Sequence, residues 1–357
     1  MSRRRRVGLV GAVAGAMAVG AAAGLAAEKY AVGRVRLVPD PDADQPFFRL
    51  PADRVRRVVA DDGVPLHVEE VGPARADVTV VFCHGYTQQL AVWHYQRIAL
   101  AQEGIGKLVF WDQRSHGKSG RSAAEHATID QLGRDLRVVI DACAPTGKVV
   151  LVGHSMGGMT IMALADQYQD LLGSRVVGVA LLGTSTGRLA SVTFGLPAAM
   201  QHVTGRVLPY LTRGMRGRPQ LFEGGRRLGT DIAFLATKRA AFGVGDVSPS
   251  VVEFVEKMTA DTPVDVIAEF YETFMDHDKL GAVEVLRDVE TLVLVGSKDV
   301  ITPVSHSRTL AAALPEAQLV VVEGAGHMVQ IERAAMVTLH LRALIRRATR
   351  ASRHAAG

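Results

Sequence analysis

Seven short runs of this chain are apolar along most of their length: PLHVEEV, VTVVFCHG, KLVFWD, KVVLVGH, VVGVALLGT, TLVLVGS and QLVVVEG. A strand with one face in water alternates apolar and polar residues. Most of these Val/Leu-rich runs do not alternate, so they read as strands covered on both faces, the situation of a parallel sheet between helices. Helical stretches lie between several of them: QQLAVWHYQRIALAQEG, TIDQLGRDLRVVIDACA, MTIMALADQYQDLLG and SHSRTLAAALPE. Alternation of this kind predicts an open, doubly wound α/β sheet. Ahead of it, RVRRVVADD and PLHVEEV are separated by Asp62-Gly63 and read as an antiparallel hairpin.

One segment breaks the rhythm. From about residue 187 to 287 the sequence is helical and irregular, with PAAMQHVTGRVLPYLTRGMRG, TDIAFLATKRAAFG and SVVEFVEKMTADTPVDVIAEFYETFM. Lying between two strand candidates, it reads as an inserted helical cap. The 357 residues, 48% hydrophobic, suffice for a substantial core. Of the formal charge of +5, four positive charges are Arg3, Arg4, Arg5 and Arg6; without them 37 Lys and Arg face 36 Asp and Glu. The body is nearly neutral and has no basic run interleaved with aromatics, which argues against nucleic acid as a partner. Cys83 and Cys143 have no metal-ligand spacing and read as two buried thiols, so no zinc is expected.

The four arginines precede an uncharged run from Val7 to Ala27. Its 21 residues match the roughly 20 needed to span a bilayer. A basic stretch before an apolar one is the pattern of an export signal or a membrane anchor. Residues 1–28 are therefore read as signal or anchor, with membrane association through residues 7–27. The body is expected to be extracytoplasmic, with a cytoplasmic location as the alternative. Residues 29–54, rich in Pro and Asp, read as a linker; residues 55–350 form the main domain and 351–357 a flexible tail. The arginines near the end of the last helix read as a solvated face.

In KVVLVGHSMGGMTIMAL, Ser155 stands at the turn between a strand and a helix, with Gly153 and Gly157 two positions to either side. This G-x-S-x-G spacing at a strand-to-helix turn is the nucleophile-elbow pattern. The glycines permit backbone to approach closely, and the helix start offers N–H groups to developing negative charge. A serine hydroxyl needs a base, and the base needs an acid. His327, in VVVEGAGHMVQIE, lies on a Gly-rich loop just past the last strand run, and Asp299, in LVLVGSKDVITP, follows the strand before it. The position after VVGVALLGTSTG, where an acid could also stand, holds only Thr and Ser, which strengthens Asp299.

Taken together, HGY at His84, WDQRSHGKS from Trp111, GHSMGG from Gly153, GSKDVITP from Gly296 and GAGHMVQIE from Gly324 resemble the α/β-hydrolase family over roughly residues 55–345. The resemblance implies an eight-stranded, mostly parallel sheet and oxyanion-hole donors in the backbone N–H groups of Tyr86 and Met156. It also implies that His84 is structural and that the loop with Asp112, Arg114, His116 and Ser119 ties strand ends together. Family members that open epoxides or remove halides carry Asp at the elbow, so Ser155 argues for acyl transfer. The expected activity is hydrolysis of small lipophilic carboxylic esters, esterase- or lipase-like, with no cofactor and no metal. Thioester, amide or C–C cleavage and haloperoxidase-type perhydrolysis are the alternatives on the same triad; a non-catalytic binding protein or a membrane-tethered interaction protein would leave the serine unused. Trp93, Phe194, Met200, Tyr210, Phe270, Tyr271 and Phe274 are together candidates to line an acyl pocket under the cap, while each taken singly reads as ordinary core packing.

Overall fold

Consecutive Val and Leu leave no polar face, and the central strands are buried from end to end. The computed structural model describes residues 38–187, 214–217, 230–243 and 247–354, with positions 33, 189, 220 and 245. Eight strands, β1 (Arg54–Val59), β2 (Pro65–Val71), β3 (Val78–Cys83), β4 (Lys107–Trp111), β5 (Lys148–His154), β6 (Val176–Leu182), β7 (Glu290–Gly296) and β8 (Gln318–Val322), form one sheet in the order β1-β2-β4-β3-β5-β6-β7-β8. The β1–β2 and β2–β4 pairs are antiparallel and the rest parallel, as the sequence implied.

Successive residues of each strand point to opposite faces, and the core divides accordingly. Phe82, Phe110, Val152, Leu182 and Leu294 face α1 (His94–Gln102) and the last helix, through Leu100, Leu341 and Leu344. Val81, Val109, Leu151, Val179 and Val293 face α2 (Ile129–Cys143) and α3 (Met156–Gln167), through Leu136, Ile140, Ile161 and Leu164. Both thiols are buried and free, and burial pushes each up to about 12.

Between β6 and β7 the described residues are helical: α4 (Thr230–Ala241), α5 (Pro249–Asp261) and α6 (Val264–Met275). After β7 come α7 (Val304–Ala313) and, past β8, α8 (Ala334–His354). Among the described residues no helix is long and apolar enough to cross a membrane; the segment 1–28, read as signal or anchor, lies outside them.

Two boundaries differ from the sequence reading. Residues 38–53, inside the expected linker, are docked on the body. Phe47 stacks on Phe254 of α5 at 4.2 Å, Tyr95 and Ser248 donate to Asp42, and Ser250 donates to Asp40. Apolar Phe47 and Phe48 supply the burial that the polar residues around them conceal. At the other end α8 runs through His354, four residues into the expected tail.

Candidate active site

The strand order reverses around β3 and β5, because the chain passes from β3 to β4 on one side and then to β5 on the other. Loops at the carboxyl ends of strands diverge there, leaving the crevice in which open α/β sheets bind ligands. The loop after β3 and the turn after β5 flank this point, with the loops after β7 and β8 farther along the same edge.

Ser155 is the turn between β5 and α3, with φ 53° and ψ −118°. For a residue other than Gly this left-handed conformation costs about 1–3 kcal/mol and must be imposed by its surroundings. The constraint is visible: Ser155 N donates to Leu182 O at 2.9 Å, and Thr184 Oγ1 donates to Ser155 O at 2.7 Å. Only glycine fits on either side. A Cβ on Gly153 would sit 2.5 Å from Gly157 O, and one on Gly157 would strike the carbonyl of Cys83.

His327 lies in the loop after β8, and its Nδ1 is 2.9 Å from Asp299 Oδ2, after β7. A carboxylate oxygen accepts, so Nδ1 carries the hydrogen and Nε2 is the nitrogen free of that pair. Asp299 is held by more than histidine: Oδ1 accepts from the N–H groups of Ile301 and Thr302, and Oδ2 from Thr302 Oγ1 at 2.8 Å. Burial alone would raise the Asp299 carboxyl, but His327 and these donors outweigh it and hold it below the usual range. Nothing in the sequence reading brings Thr302 forward; the Asp-x-x-Thr spacing is the available signal for its part in holding Asp299.

On the β3 side, Tyr86 follows the His-Gly pair, and its hydroxyl donates to the carbonyl of Ile267 on α6. Thr87, at φ 57°, meets Thr259 of α5 through the two hydroxyls at 3.3 Å. Both contacts fasten the loop to the helices between β6 and β7. Met156 is the first residue of α3, where helix geometry leaves an N–H without an intrahelical acceptor. Met156, Met159, Phe270 and Phe274 make one apolar cluster with Tyr86 packed against it.

Other polar residues singled out in the sequence are built into the frame. His84 Nδ1 donates to Gly85 O at 2.7 Å and Nε2 accepts from Gln113 N at 2.9 Å; burial, then His116, drives it down to about 3. Asp112 accepts from the N–H groups of Leu90 and Lys118, while Arg114 pairs with Asp135 at 2.6 Å and with Asp62 at 2.7 Å. Ser119 donates to Asp112 O and accepts from His67 N. Trp93 is fully buried in the sheet core, 5.2 Å from Phe82, so it belongs to the core and not to a pocket. Phe194, Met200 and Tyr210 lie outside the described residues. Gln88, which the sequence did not bring forward, reaches His154, Gly85 and Met328.

Comparison with known proteins agrees with this architecture. The chain is 26% identical to an uncharacterized protein of Mycobacterium tuberculosis over 268 residues, 72% of this chain and 70% of that one. It is 28% identical to a non-heme haloperoxidase of Rhodococcus erythropolis, across 76% of this chain and 92% of that one. Among solved structures, a thermophilic esterase from Thermogutta terrifontis superposes with a TM-score of 0.64 at 24% identity, covering 83% of this chain and all but 1% of that one. Residues 78–334 match the model of the α/β hydrolase fold family, and the chain belongs to that family.

Proposed function

We propose that the protein is a serine hydrolase that cleaves carboxylic esters through an acyl-enzyme on Ser155. The observation that carries this is the pairing of a buried Asp299–His327 couple with a serine held at positive φ, all on loops at one edge of the sheet. In this reading Ser155 Oγ attacks the ester carbonyl while His327 Nε2 takes its proton, and Asp299 keeps the imidazole in the Nδ1–H tautomer. The N–H groups of Tyr86 and Met156 receive the charge that develops on the carbonyl oxygen. Collapse expels the alcohol with the proton from His327. Water, deprotonated by the same nitrogen, then releases the acid and restores Ser155. Every step uses groups of this chain, the ester and one water.

Small, lipophilic acyl chains are the substrates this reading favours, because the side chains beside Tyr86, those of Met159, Phe270 and Phe274, are apolar. Likeness to esterase structures is in keeping with such substrates. The test is a fluorophosphonate probe followed by peptide mapping, with Ser155→Ala alongside. One adduct, on Ser155, supports the reading; a folded protein that hydrolyses esters equally well as Ser155→Ala removes it.

The similarity to a haloperoxidase favours a second reading on the same intermediate. Hydrogen peroxide in place of water would carry the acyl group off as a peracid and return the serine unchanged. Peracid formation from acetate ester plus peroxide, lost in Ser155→Ala, would add this activity; ester hydrolysis without it would exclude it.

A further inference from the structure

His154 stands between Gly153 and Ser155 with its ring fully buried, and the hydrolytic steps above make no use of it. Its Nε2 lies 2.9 Å from the backbone carbonyl oxygen of His327, and the two imidazole rings are 4.7 Å apart at 51°. A carbonyl oxygen can only accept, so this contact requires the hydrogen on Nε2. Burial, then the neighbouring His327, keep His154 neutral at ordinary pH, holding it down at about 3. A neutral ring has one N–H but two acceptors face it. The shorter contact, to the His327 carbonyl at 2.9 Å, takes the hydrogen, and Nδ1 then stands bare 3.2 Å from Gln88 Oε1, an approach of two acceptors and not a hydrogen bond.

Gln88 makes a separate tie beside it. Its Oε1 accepts from Gly85 N at 3.0 Å, one residue before Tyr86, and its Nε2 reaches Met328 Sδ at 3.3 Å, one residue after His327. The loop after β3, the elbow after β5 and the loop after β8 thus meet on one imidazole and one amide, both buried. The strands that carry them are not all neighbours: β6 and β7 separate β5 from β8. Without a direct tie, the position of His327 relative to Ser155 would depend on two intervening strands.

We propose that His154 is a positioning residue, which donates its Nε2–H to the His327 carbonyl and thereby fixes the base's backbone against the elbow that carries Ser155. This rests on the serine-hydrolase reading, because it assigns His327 as the base. It predicts a rate effect with a specific chemistry. A glutamine amide reaches where a histidine Nε2 sits, whereas asparagine reaches only the Nδ1 position and phenylalanine fills the volume with no donor. Misplacing a catalytic group by about 1 Å can cost 10²-fold in rate.

The test measures p-nitrophenyl butyrate hydrolysis and fluorophosphonate labelling rates for the full chain and for His154→Gln, His154→Asn and His154→Phe, each checked for folding by its melting temperature. The expected result is a kcat about 10- to 100-fold lower in the Asn and Phe variants, KM within about 3-fold, slower labelling in proportion, and rescue to within about 5-fold by Gln. Asn and Phe variants that fold and keep the wild-type kcat, or a Gln variant as slow as Phe, overturn the proposal. Wild-type protein that is not labelled at Ser155 would instead overturn the serine-hydrolase reading itself. Should the variants fail to fold, the tautomer of His154 in ¹⁵N-histidine-labelled wild-type protein decides: protonation at Nε2 supports the tie, and protonation at Nδ1 with Nε2 bare defeats it.

Discussion

Two aspartate–histidine pairs stand at the carboxyl edge of the sheet, one on a single loop and one across two loops, and they differ in what the fold has already done with them. In the loop after β4, Asp112 has both oxygens taken by the N–H groups of Leu90 and Lys118, and His116 donates Nδ1–H back to Arg114 O. In the loop after β7 and its neighbour after β8, Asp299 also accepts backbone N–H groups, yet keeps Oδ2 for His327. Burial pushes Asp112 up to about 6, whereas His327 and Thr302 keep Asp299 below its ordinary range despite similar burial. A pair of residue types does not make a catalytic couple. The distinguishing facts are whether the carboxylate meets the imidazole and whether a serine stands at the same sheet edge.

The contrast can be broken by experiment, and the largest effect belongs to the serine. Ser155→Ala should lower ester-hydrolysis kcat by about 10⁴- to 10⁶-fold with an unchanged melting temperature or a slightly altered one. Steady-state kinetics on purified protein, with active-site titration to exclude contaminants, checks it. Asp299→Asn comes next, at about 10⁴-fold in kcat, because the amide favours the wrong imidazole tautomer. Comparable loss in the folded Asp112→Asn variant would erase the distinction drawn between the two pairs.

The β4 loop should instead report through stability. Arg114 is buried between Asp135 and Asp62, and Arg114→Met leaves those carboxylates without their cation. Chemical denaturation should show a loss of about 3–5 kcal/mol, while kcat per folded molecule stays within about 3-fold. Asp112→Asn should cost less, about 1–3 kcal/mol, through one poorly satisfied backbone donor. Its pH dependence carries a sign. A carboxyl raised in the folded state binds its proton more tightly there than when unfolded, so its contribution to stability falls as pH rises from about 4 toward 6 and is then constant. Subtracting the Asp112→Asn stability profile from the wild-type one should leave this downward slope; a flat difference would mean that Asp112 titrates normally.

Much of this was legible in the chain because the signals were local. Continuous Val/Leu runs report burial on both faces, and Gly153-x-Ser155-x-Gly157 reports a turn whose backbone contacts admit no side chain. Asp299 and His327 could be placed because each follows a strand run directly. What escaped depends on contacts distant in sequence. Gln88 touches residues up to 240 positions away, and no spacing in HGYTQQL marks it. The docking of residues 38–53 escaped for the same reason: Asp40 and Asp42 look like linker residues until Ser248, Ser250 and Tyr95 are brought to them. For Trp93, an aromatic in a helix after β3, pattern leaves core and pocket both open, and the structure places it in the core.

That docked segment adjoins the candidate site through a single helix. The chain enters the fold across α5, with Phe47 against Phe254 and Asp40 against Ser250, before it reaches the first strand at Arg54. That helix also carries Thr259, which meets Thr87 beside Tyr86, while Tyr95 and Arg97 of α1 hold the same segment through Asp42 and the carbonyl of Pro51. Residues 38–53 are thus one helix removed from Tyr86, and they buttress the helix against which the loop after β3 rests.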